Sequence, residues 1–145
     1  MRRRRVMIIV LLLIIVGVLC VTWIVLRPQH PTDIAPSDVG WIELSAFQQP
    51  IYIVTDREQI EKIIKNFNET ELGEGITFKE SDLMIGSESM TVDIYKKNGE
   101  RYRAFGVKAN GKISYNDTEY ETKNPSVNTE YLRELMENEG DNLID

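Results

Sequence analysis

Val6 to Leu26 is a run of 21 residues without a charge, and Thr22 is its only clearly polar member. No soluble core helix of that length normally lacks a polar face. At ~1.5 Å per residue the run reaches roughly 31 Å, about one hydrocarbon core, so residues 6–26 are expected to form a single transmembrane helix. Arg2, Arg3, Arg4 and Arg5 precede it, against Arg27 alone on the other side. The excess of cations makes these four the orientation determinants: residues 1–5 are read as a cytoplasmic basic tip, with the C-terminal part outside a cell membrane. Trp23 falls where an indole suits the interface. Val18-Leu19-Cys20-Val21 offers no small-x-small cleavage site, so an uncleaved signal-anchor is expected.

Charge divides the chain. Residues 28–145 hold 12 basic and 23 acidic side chains, a net of −11. That balance argues against nucleic acid as a partner. Cys20, inside the apolar run, is the sole cysteine, so the rest of the chain has no disulfide framework and no cysteine metal site. Residues 27–38 contain Pro28, Pro31 and Pro36 and read as an extended linker holding the domain clear of the anchor. The only histidine, His30, lies in it without a neighbour in sequence that would make a ligand set or a pH sensor.

Residues 39–138 carry the patterning of a folded domain, followed by an acidic tail at 139–145. Val39–Phe47 is strand-like, and Ile51–Val54, four apolar residues in a row, is expected to be a second, buried strand. Thr55-Asp56-Arg57-Glu58 fits a capping box with Thr55 as N-cap. Ile60, Ile63, Ile64 and Phe67 then recur at helical spacing, with Glu58/Lys62 and Glu61/Lys65 as supporting ion pairs, to an end near Asn68. Gly73-Glu74-Gly75 reads as a turn and Ile76–Lys79 as a short strand. Met90–Tyr95 alternates cleanly and Arg101–Val107 returns from it. A three-residue Lys97-Asn98-Gly99 loop sets Tyr102 opposite Ile94 and Arg103 opposite Asp93. The same loop at Ala109-Asn110-Gly111 pairs Val107 with Ile113 and Phe105 with Tyr115. Asn116-Asp117 turns into Glu119–Thr122, and Asn124-Pro125 stops the sheet. Asn128 or Ser126 caps a last helix over Thr129–Asn138, with Leu132, Leu135 and Met136 inward. The expected class is α+β: a transmembrane helix, then β-β-α, an antiparallel meander and α.

The Ile51–Phe67 strand-to-helix step, Tyr95–Glu100 hairpin, Gly111–Tyr115 segment, Tyr120 and Tyr131–Leu135 helix together resemble small membrane-anchored extracytoplasmic α+β domains of unknown function from low-GC Gram-positive bacteria. The resemblance implies no catalytic residues. The chain departs from lipid-linked members in having Leu19, not a small residue, before Cys20.

Nothing in the sequence matches a nucleophile–base, Walker, zincin or dinucleotide motif, and no cofactor is expected. Glu69, Glu71 and Glu74 crowd one loop without the calcium-loop pattern. Asn68-Glu69-Thr70 and Asn116-Asp117-Thr118 match the glycosylation pattern. The exposed candidates for a partner surface are Lys96, Lys97, Arg101 and Arg103 with Tyr95 and Tyr102. The function expected is a non-enzymatic binding or accessory module meeting a protein, peptide or envelope component. The alternative is an envelope assembly protein acting through its apolar helix.

Overall fold

Alternation in a strand buries one side and leaves the other to solvent, and that rule organises this chain. The computed structural model describes residues 2–25, 28–77, 89–123 and 125–140. Helix α1 covers Arg2–Val25. Seven strands follow: β1 (Val39–Ala46), β2 (Tyr52–Val54), β3 (Leu72–Thr77), β4 (Ser89–Lys96), β5 (Arg101–Lys108), β6 (Ile113–Tyr115) and β7 (Thr118–Thr122). They form one sheet in the order β2-β1-β4-β5-β6-β7-β3, with every neighbouring pair antiparallel. Helix α2 (Arg57–Glu69) links β2 to β3, and α3 (Thr129–Gly140) closes the chain.

That connection is long. Six strand spacings of ~4.8 Å separate β2 from β3, roughly 29 Å. Helix α2, with 13 residues, supplies ~20 Å of it by crossing the sheet. Its buried stripe is the expected Ile60, Ile63, Ile64 and Phe67. These meet Ile42, Leu44, Val92, Ile94, Phe105, Val107 and Ile113 from the sheet and Leu132, Leu135 and Met136 from α3 in one core. The two helices therefore lie on the same face.

Several expectations are corrected. Among the described residues no helix is long and apolar enough to cross a membrane. Helix α1 opens on four arginines, Arg2 to Arg5, and its side chains are described from Met7 to Trp23. The single-pass anchor expected at 6–26, with its signal-anchor reading and the outside placement of the domain, gives way to this finding. All 17 of those side chains are exposed. The side chains of Arg2, Arg3, Arg4 and Arg5 lie outside the described residues, as do Asn124, residues 141–145 and the strand end expected at Lys79.

The proline-rich segment does not stand clear as a linker. Gln29 bridges to Leu72 on the outer edge of β3, where the Leu72 N–H donates to Gln29 O at 2.7 Å. His30 Nδ1 lies 2.9 Å from Thr70 O. Arg103 donates to Pro31 O, Tyr102 Oη to Asp33 at 2.7 Å, and Asn68 to Ile34 O at 3.0 Å. Thr32 and Ile34 are buried. Residues 29–34 thus form a strap on the domain.

The first hairpin has the expected loop, with Gly99 at φ 86°, but a different register. Tyr95 pairs with Arg101, then a bulge sets Arg103, not Tyr102, opposite Ile94, and Ala104 opposite Asp93. Without the bulge, Phe105 and Val107 would turn to the solvent face; with it they oppose Val92 and Met90 in the core. The second loop, with Gly111 at φ 82°, pairs Val107 with Ile113 as expected. The α2 cap is Asp56, not Thr55, and accepts from the Gln59 N–H at 2.9 Å. Lys65 pairs with Glu69 there, while Lys62 lies over the Tyr131 ring. Strand β2 is an edge, so Ile51 and Ile53 are exposed and only Val54 of that run is buried. Gly73-Glu74-Gly75 is strand, not turn. Asn128 is the α3 cap, bonded by the Tyr131 N–H at 3.0 Å.

Candidate functional site

The second face of the sheet has no described element on it. Cross-strand partners share a face, so the register alone lays out its floor. One row runs Ser45, Thr91, Gly106, Ser114 and Glu119; the next runs Ile53, Glu43, Asp93 and Ala104. A third begins Trp41, Tyr95, Arg101. Ser45, Thr91, Ala104, Gly106 and Ser114 give the face a floor of small side chains, and Trp41, Tyr95 and Arg101 stand at one end of it. Gly106 belongs there because Ser114 sits over it: a Cβ at 106 would lie 2.4 Å from Ser114 Oγ.

At one end Trp41 and Tyr95 stack at 4.8 Å between centroids with 9° between planes. The Trp41 indole N–H donates to Glu43 Oε1 at 3.1 Å. Glu43 lies opposite Asp93, and Asp93 Oδ1, closed off from solvent and without a hydrogen bond, forms an ion pair with Arg101 at 2.5 Å. No described cation pairs with Glu43. Partial burial pushes the Tyr95 hydroxyl above its ordinary value, and the charges of Glu43 and Asp93 push it further the same way. At the other end Lys108 pairs with Glu119, and Lys112 reaches Glu119 at 3.6 Å and Glu121 at 2.5 Å. The bond to Glu121 holds the Lys112 ammonium above its usual range, against some desolvation. Among the described residues, two lysines there face two glutamates, whereas the aromatic end sets Glu43 and Asp93 against Arg101 alone.

The six residues singled out in the sequence do not form one patch. Tyr95 and Arg101 stand on the open face. Lys96 sits at the hairpin end, 3.1 Å from Glu100, and Lys97 is exposed on the turn with its N–H on Asp38 O. Tyr102 and Arg103 are on the helix side and hold the strap. The Arg103 guanidinium lies 5.2 Å from the Tyr102 ring, 5.4 Å from Tyr115 and 5.9 Å from Phe105. Trp41, Glu43 and Asp93 were missed. Trp41 and Glu43 sit on the outward phase of the β1 alternation, but only the β1–β4 pairing brings them to Tyr95 and Asp93.

A cleft of about 240 Å³ lies between α2 and α3, lined by Lys62, Lys65, Asn66, Asn128 and Tyr131 among others. Its polar groups serve one another: Asn66 donates to Ser126 O and accepts from the Asn128 N–H. Among the described residues no three His, Cys, Asp or Glu side chains gather as a metal site, and Glu69, Glu71 and Glu74 do not. No family model, curated protein or solved structure matches the chain.

Proposed function

We propose that this chain is a non-catalytic binding module whose recognition surface is the open face of the sheet, centred on Trp41 and Tyr95. The observation that carries it is the contrast between the two faces. One is sealed by α2 and α3. The other combines a stacked aromatic pair, half-exposed, with a carboxylate pair and a floor of small side chains. Aromatic side chains that keep a polar handle in water are the usual anchors of an interface, and a cleared floor beside them leaves room for a partner's side chains. The partner expected is a protein or peptide.

A photo-crosslinker placed at Ser45 tests this reading. It should give a discrete adduct that Trp41→Ala abolishes, whereas the same group at Glu61, on the outer side of α2, gives none. Adducts from Glu61 alone, or from Ser45 regardless of Trp41, would overturn it.

A further inference from the structure

Glu43 and Asp93 face each other directly across β1 and β4. Like charges in that position repel and weaken a sheet. Asp93 has the Arg101 guanidinium. Glu43 has neutral donors, the Trp41 indole N–H at 3.1 Å and the Tyr95 hydroxyl, and no described counter-ion. The missing charge lies beside an aromatic surface that draws cations, within a domain that carries 12 basic against 23 acidic side chains from residue 28 on.

We infer that the open face takes a cationic side chain of a protein partner, an arginine or a lysine, with its charge on Glu43 and its stem along the Trp41–Tyr95 stack. This rests on the open face being the recognition surface. Charge complementarity selects a cation over a neutral ligand such as a sugar. Chemistry selects an organic cation over a metal ion: Asp93 is already engaged, and one remaining carboxylate falls far short of the six or more oxygens that calcium takes. A cation on a hydrocarbon stem, by contrast, uses both the carboxylate and the rings. Ile53, opposite Glu43 and 52% exposed, offers an apolar contact for the partner residue beside the cation.

The full chain, 15N-labelled and kept in a neutral detergent to cover α1, is titrated with acetyl-Gly-Ser-Arg-Ser-Gly-amide. A second titration uses the same peptide with citrulline, which has the shape of arginine without its charge. The arginine peptide should shift the Trp41 indole N–H saturably and leave that of Trp23 in place. Glu43→Gln should weaken binding about fivefold or more, and Glu121→Gln, at the far end of the face, should not. Equal binding of the citrulline peptide, full binding by Glu43→Gln, or no saturable shift overturns the cationic occupant. If the Ser45 crosslink still depends on Trp41 in that case, the open-face reading stands by itself; if it does not, both fall.

Discussion

Replacing Arg103 by methionine should detach the strap before it unfolds the domain. The guanidinium donates to Pro31 O and lies against Tyr102, Tyr115 and Phe105 at 5.2, 5.4 and 5.9 Å. A hydrogen bond from a charged donor contributes about 1.5–3 kcal/mol. Cation–π attraction at a partly exposed site adds ~0.5–1 kcal/mol, and three rings sharing one cation do not add independently. Methionine recovers some of the stem's packing. The net cost expected is ~2–3 kcal/mol, read from urea unfolding. The sharper measurement is hydrogen exchange at Leu72, whose N–H is held by Gln29 O. With the strap loosened, its protection should fall at least tenfold, since ~1.4 kcal/mol is a factor of ten, while amides of β4 follow only the global change. Arg103→Lys keeps the charge without the planar fork and should fall between. Unchanged exchange at Leu72 would show that Arg103 does not hold the strap.

Glu43→Gln should raise stability by ~0.2–1 kcal/mol in thermal or urea unfolding, because it removes one of two opposed carboxylates; a loss of stability would mean that the pair is not repulsive. Gly106→Ala should destabilise by ~0.5–1 kcal/mol, and adding Ser114→Ala should cancel that cost, because the clash is with Ser114 Oγ at 2.4 Å while Ser114 Cβ stands at 3.8 Å. Additive losses in that double-mutant cycle would count against the contact. The Tyr102 hydroxyl bond holds the Asp33 carboxyl below its ordinary 3.8. Its contribution is therefore present above that value and is lost as pH falls through the lowered one. Tyr102→Phe should accordingly cost stability at neutral pH and progressively less below about pH 4, followed by urea midpoints across that range.

Local features were legible in the sequence. The helical stripe Ile60–Ile63–Ile64–Phe67 is buried as its spacing demands, Leu132, Leu135 and Met136 face the core, and both Asn-Gly loops place glycine in the left-handed region. Long-range choices were not. Whether β1 lies beside β4, and β3 beside β7 rather than at the head of the meander, depends on which surfaces bury each other across many residues. The bulge at Tyr102 shows the competition: loop geometry and cross-strand charge favoured one register, and burial of Phe105 and Val107 imposed another. Ile51–Val54 misled because an apolar run fits an edge strand as readily as a central one. Proline density implied a spacer, yet carbonyls such as Pro31 O remain acceptors, and Arg103 and Asn68 take them up. Of the open face, Tyr95 and Arg101 were visible; Trp41, Glu43 and Asp93 joined them only through strand pairing.

The sheet order also sets a timetable. Strands β4 to β7 are neighbours in both sequence and space, joined by turns of two to four residues, and such hairpins close in ~1–10 µs. Strand β1 must find β4, and β3 must find β7, each across roughly half the domain, and such distant pairings are what slow folding. The meander is therefore the template on which both flanks assemble. Mutations in it, at Val92 or Phe105, should slow folding, whereas those in β2 or β3 should mainly speed unfolding. Glu43 meets Asp93 only when β1 docks, so the carboxylate pair is assembled in the late part of folding.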